Sequence, residues 1–179
     1  DEYSLALGRT ACRWWRGWAD ARNGAPRDGY RRIREAYEEH TGLGMRSGAS
    51  EILGYATEAL LLAGDCNAAQ VELQEAFRVV EELGERVYLP QLLLLEAAIA
   101  RAQGQPDASI ATVRRAVDEA RAQEAPWLEL QALVELCEHP DATAEDHLAL
   151  ATLVDQSPET DGTELAKRAR SLIHAVKPA

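Results

Sequence analysis

Three glycines stand at one fixed interval: Gly24, Gly64 and Gly104, with 64 − 24 = 40 and 104 − 64 = 40. Other residue types keep the same step. Small residues precede each glycine at Gly17, Thr57 and Ala97, and follow it at Gly29, Ala69 and Ser109. An aliphatic column runs through Ile33, Leu73 and Val113. Alanine follows at Ala36, Ala76 and Ala116, and a bulky column at Tyr37, Phe77 and Val117. Recurrence of this kind means one supersecondary unit used several times, no copy of which buries its apolar face alone. The glycine marks a bend where a left-handed residue closes a helix without steric cost. Polar or proline-bearing turns come next (Ala25-Pro26-Arg27-Asp28, Asp65-Cys66-Asn67, Gln105-Pro106-Asp107), with helix-start residues in them. The later columns fall on one helical stripe.

Each unit is therefore read as helix, tight turn, helix. The pattern predicts helices over Leu5–Arg22, Pro26–His40, Ser47–Leu62, Ala68–Leu83, Val87–Gln103, Ala108–Gln123, Pro126–Cys137, Ala144–Gln156 and Thr163–Val176. The fold expected is all-α: a right-handed stack of about four antiparallel helix pairs, with repeat units near 5–40, 47–83, 87–123 and 126–156. A capping helix over 163–176 completes one domain spanning 1–179. The fourth pair is degenerate, with His139 in the place of the glycine, and Ser157–Gly162 reads as a plain loop. Abundant Ala, Leu, Glu and Arg, with no alternating Val/Ile runs, agree with helix and argue against strands.

Charge narrows the partners. A formal net charge of -11 repels phosphate backbones, so direct nucleic-acid binding by this chain is not expected. The arginines between Arg9 and Arg34 form a basic start. They are read either as an acidic-partner site or as a solvated helix face whose long side chains cover apolar surface. No apolar run reaches the ~20 residues of a membrane span. The three cysteines Cys12, Cys66 and Cys137 are far apart and lack C-x-x-C spacing, which predicts buried or half-buried thiols in a reducing, cytoplasmic setting. The opening Asp1-Glu2 without a methionine is read as a piece of a longer protein.

The small, glycine, small, bulky and alanine columns together resemble the tetratricopeptide repeat, an α-solenoid, though with a period longer than that family's 34 residues. Segments such as Gly17-Trp18-Ala19, Glu58-Ala59-Leu60-Leu61-Leu62-Ala63-Gly64 and Glu82-Leu83-Gly84-Glu85-Arg86-Val87-Tyr88 are similar to the C-terminal helical repeats of large bacterial ATPase-containing transcription regulators and cyclase-like signalling proteins. The likeness covers roughly Gly17 to Leu136. It implies a scaffold or sensor module that binds a protein or peptide partner, an effector, or other domains of the same chain, with self-association into a homodimer as the alternative. The nucleotide-binding loop of such proteins is not in this sequence: Tyr30 stands where its lysine would be.

The resemblance also places a groove along the first helix of each pair. Its columns fall on Trp14, Trp18 and Arg22, then Glu51 and Glu58, then Gln91 and Arg101, and then Glu129. Aromatic anchors beside Arg and carboxylates suit a peptide groove. The competing reading is that Trp14, Trp15 and Trp18 cover the end of the stack. Trp127, at a helix start after Pro126, is read as core or helix-junction packing. No catalytic residue, metal or cofactor is expected. Asp141, Glu145, Asp146 and His147 make the densest polar cluster, weighed as a metal site and as a helix cap started by Asp141 or Thr143. Cys66, behind Asp65 at a helix start, is weighed as a reactive thiol and as a bystander.

Overall fold

The computed structural model describes the backbone of residues 2–176 and the side chains of residues 8–158 and 160–175. All regular structure in that range is helical: α1 (Glu2–Arg22), α2 (Pro26–Gly42), α3 (Ala49–Leu62), α4 (Cys66–Leu83), α5 (Leu89–Ala102), α6 (Pro106–Ala122), α7 (Pro126–Cys137), α8 (Ala144–Gln156) and α9 (Glu164–Val176). No described helix is long and apolar enough to cross a membrane.

Gly24, Gly64 and Gly104 sit at the bends α1–α2, α3–α4 and α5–α6 with φ of 94°, 75° and 73°, the left-handed region glycine favours. The columns find their places around those bends. Ile33, Leu73 and Val113 are buried, and Ala36, Ala76 and Ala116 are fully so. The small columns are where the two helices of a pair touch. Gly17 on α1 lies against the Gly29 backbone on α2, and on the third pair the Ser109 hydroxyl donates to the Ala97 carbonyl at 2.9 Å. Residue sums stay nearly constant across α1–α2, from Arg9–Glu39 to Asp20–Arg32, as antiparallel packing requires.

Each pair packs on the next mainly through consecutive helices, α2 on α3, α4 on α5 and α6 on α7, and the odd-numbered helices add direct contacts of their own. α1 touches α3, α3 touches α5, α5 touches α7 and α7 touches α9. Even helices are linked only by long side chains, such as Arg34 on α2 reaching Glu72 on α4 at 2.8 Å. Three apolar clusters fill the space between the layers. Ile33 and Ile52 centre the first, Leu53 and Leu92 the second, and Leu130, Leu133 and Leu150 the third.

Several boundaries differ from the expectation. α4 and α6 begin two residues earlier, at Cys66 and Pro106, because the Asp65 carboxylate caps α4 through the Ala68 N–H and proline fits the first helical turn. Ser157–Gly162 is not a plain loop: Pro158–Thr160 form one 3₁₀ turn, tied by the buried Thr160 hydroxyl to the Ser157 carbonyl at 2.8 Å. The bend after α7 does without a left-handed residue, so His139 takes over no glycine conformation. Cys12 is exposed, against the expectation of buried or half-buried thiols; Cys66 is half-buried and Cys137 buried.

A second left-handed column closes the even helices: Gly44 (φ 77°), Gly84 (φ 66°) and Glu124 (φ 52°), again forty apart. Glu124 is the non-glycine member. A side chain in this region costs about 1–2 kcal/mol, and glycine's greater freedom in the unfolded chain returns part of that. Glu124→Gly is expected to stabilise the protein by about 0.5–1 kcal/mol, read as a higher denaturant midpoint at unchanged slope.

Candidate functional site

Trp15 is exposed and Trp18 and Tyr55 are half-buried on the odd-helix layer where α1 meets α3. The two helices run side by side in the same direction, so residues forty apart face each other. Trp15 meets Tyr55 with ring centroids 5.1 Å apart, and the Trp18 indole N–H donates to Glu58 Oε2 at 2.8 Å. Trp18 also packs on Tyr55 (5.7 Å) and edge-on against Trp15 (5.7 Å). Trp15 is 45% exposed although it is an aromatic side chain in mutual contact with two others.

The carboxylates of this patch are held in two different ways. Glu58 has both oxygens engaged: Oε2 takes the Trp18 indole, and Arg22 Nη1 stands 3.3 Å from Oε1 while its guanidinium lies 5.0 Å above the Trp18 ring. Glu51, two helical turns earlier on α3, accepts from the Tyr55 hydroxyl at 2.8 Å. Tyr88, the N-cap residue of α5, has its hydroxyl beside the same carboxylate. Burial and Glu51 push the Tyr55 hydroxyl well above the usual tyrosine range and the Tyr88 hydroxyl up to about 12. Both tyrosines therefore stay protonated donors at neutral pH. Among the described residues Glu51 has no cationic partner.

The remaining groove candidates are distributed along the same layer. Gln91 on α5 is half-buried, and its Oε1 atom has no hydrogen-bond partner among the described residues. Gln131 on α7, forty residues further, repeats this. Arg101 pairs with Glu135 at 2.6 Å, joining α5 to α7, and Glu129 pairs with Arg121 at 2.6 Å. Trp14 departs from the expectation. It is 7% exposed and belongs to the core between α1 and α2, edge-on to His40 at 5.5 Å, so it lines no groove. Trp18 is thus grouped with Trp15, three residues away on the same face, instead of with Trp14. Trp127 is 43% exposed, so it is not a core residue.

Sequence reasoning weighed Trp15 only as part of the stack's end and left Tyr55 and Tyr88 out of the groove. A signal for the first two was present, since 55 − 15 = 40 makes them one aromatic column of the repeat. Tyr88 lies in a link between pairs and had no column to reveal it.

The polar cluster near α8 is a helix cap. Thr143 and Asp146 form a reciprocal capping box, and both Asp146 oxygens accept from Arg114 of α6, at 2.8 and 2.9 Å. That bidentate bond holds the Asp146 carboxyl down to about 2. Among the described residues no three His, Cys, Asp or Glu side chains are grouped to hold a metal ion. Clefts of about 220 Å³ (beside Gln70, Phe77 and Gln103) and about 350 Å³ (beside Arg121, Leu148 and Thr152) lie away from the aromatic patch. Comparison with protein-family models finds no match, and comparison with curated proteins finds no significant relative.

Proposed function

We propose that the chain is a tetratricopeptide-like α-solenoid that acts as a binding scaffold, its odd-numbered helices forming the inner face of a right-handed stack and taking a peptide segment of a partner protein or of another domain. The carrying observation is the Trp15–Trp18–Tyr55 cluster, with Trp15 exposed and the other two rings half-buried, beside Glu51 and Glu58 on that layer. The layer geometry supports it. Odd helices pack directly on one another while even helices are spaced by long side chains, so a stack of such pairs curves with the odd helices inside. Aromatic side chains supply large contact area at low entropic cost, and the carboxylates fix orientation. In a multidomain bacterial transcription regulator or signalling ATPase, such a face would relay partner binding to the rest of the protein. Cytoplasmic location belongs to this same reading.

The test is selection of twelve-residue displayed peptides on the purified chain. Enriched peptides are expected to bind the wild type and to lose at least tenfold in affinity on Trp15→Ala with Trp18→Ala. Helical circular dichroism should be preserved. Peptides that bind both forms equally, or a selection that enriches none, would refute the inner-face reading. A concentration-dependent dimer in sedimentation that the double variant leaves intact would point to self-association in its place.

A further inference from the structure

Between α1 and α3 one Trp–Glu pair is already filled, and a second tryptophan and carboxylate are joined beside it through Tyr55. Trp18 and Glu58 hold the chain's own Arg22: its guanidinium lies 5.0 Å over the indole and 3.3 Å from the carboxylate. Three residues earlier on α1, and seven earlier on α3, stand Trp15 and Glu51. They are bridged by Tyr55, whose ring packs on Trp15 at 5.1 Å and whose hydroxyl donates to Glu51 at 2.8 Å. No described arginine or lysine reaches this second pair. Trp15 is the most exposed of the clustered rings.

We infer that the Trp15–Tyr55–Glu51 site takes an arginine side chain of a basic partner segment, its stem along Trp15 and its guanidinium at Glu51. The occupant follows from three observations. The carboxylate is without a cation, and the net charge of -11 favours a basic partner. The rings touch one another at 5.1 to 5.7 Å, leaving no space for a group to enter between them. A ligand therefore lies on the outer face of Trp15, as Arg22 lies on Trp18, and a flat guanidinium both stacks on an indole and pairs with a carboxylate. A compact ammonium would gain the charge contact and forgo the stacking. The Tyr55 hydroxyl donates to Glu51 and holds its oxygen in place, which reduces the ordering cost of binding.

The inference rests on the inner-face reading but is tested apart from it. Acetyl-arginine amide and its uncharged isostere acetyl-citrulline amide are titrated into the full chain at low salt, and the indole N–H signals are followed by NMR. The Trp15 signal should move saturably with the arginine compound and at least threefold less with citrulline. Glu51→Gln should reduce that difference at least threefold, while Glu96→Gln, on the far side of α5, leaves it intact. Added salt should weaken the effect. Equal movement with both compounds, no movement, or full movement in Glu51→Gln would each overturn the arginine assignment. Peptides selected as above that bind through Trp15 and Trp18 but contain no arginine would leave the inner-face reading standing while this one fell.

Discussion

Gly29→Val should undock α1 from α2 and cost at least about 3 kcal/mol, the largest single-residue loss expected in the N-terminal half. A Cβ atom at Gly29 would stand 2.4 Å from the Gly17 carbonyl oxygen and 2.7 Å from the Ala21 Cβ. Neither neighbour is the end of a flexible side chain. One is helix backbone and the other is fixed rigidly to it, so the helices must separate. Overfilling a close-packed site typically costs 1–3 kcal/mol, and backbone against backbone sits at the upper end. Separation also strips cover from Trp14, Ile33 and Ala36, which share the first apolar cluster. Three of the four tryptophans lie on α1, so emission should shift red and report the undocking directly. Gly29→Ala should show the same effect at about 2–3 kcal/mol. Gly24→Ala separates sterics from backbone conformation: nothing crowds a Cβ there, but φ is 94°, so about 1 kcal/mol is expected with no fluorescence shift. A Gly29→Ala variant within 0.5 kcal/mol of wild type would mean that the close crossing does not exist.

That glycine pair also shows how much the sequence disclosed. A forty-residue period with small residues on both sides of a bend leaves little choice: the bend must reverse the chain and the small positions must be where the arms meet. The bends at Gly24, Gly64 and Gly104, the buried alanine column and the Thr143–Asp146 cap were legible for that reason. What was not legible is which side of α1 faces water. Trp14 and Trp15 differ by about 100° of rotation, and three tryptophans within one stretch of five residues give periodicity no clear boundary. The core took Trp14 and the surface kept Trp15. Contacts between non-consecutive helices were beyond reach as well. Arg34 and Glu72 are 38 residues apart, off the repeat period, and pair because α2 and α4 are held apart at a distance that long side chains can span. Trp127 follows a proline at a helix start, and 43% of it is open to solvent, which no column of the repeat disclosed.

The Arg34–Glu72 pair sets up the second large effect, which depends on pH. Glu72 is 6% exposed, accepts from Arg34 at 2.8 Å and from the Tyr30 hydroxyl at 3.1 Å, and is followed one turn later by Glu75, 3.2 Å from the same guanidinium nitrogen. Burial raises the Glu72 carboxyl above its ordinary range, and Arg34 pulls it only part of the way back. Removing the cation from a buried pair leaves a charge without compensation, which costs about 3–5 kcal/mol in enclosed sites. Arg34 is partly open to solvent, so Arg34→Ala should lose about 3 kcal/mol at pH 7.5. The sign of the pH dependence follows from proton binding. A carboxyl whose folded pKa is raised binds its proton more tightly when folded, so acidification towards its unfolded value near ~4.3 stabilises the folded state relative to the unfolded one. The deficit of Arg34→Ala relative to wild type should therefore shrink as pH falls from 7.5 to 5. Glu72→Gln alone removes the charge and keeps an acceptor for Tyr30, and Arg34 retains Glu75, so it should cost under about 1 kcal/mol. The double variant should then be more stable than Arg34→Ala by itself, a coupling that a double-mutant cycle reads directly. Equal losses for Arg34→Ala at both pH values, with no recovery in the double variant, would show that the Glu72 charge is already solvated and that α2 and α4 are not joined through it.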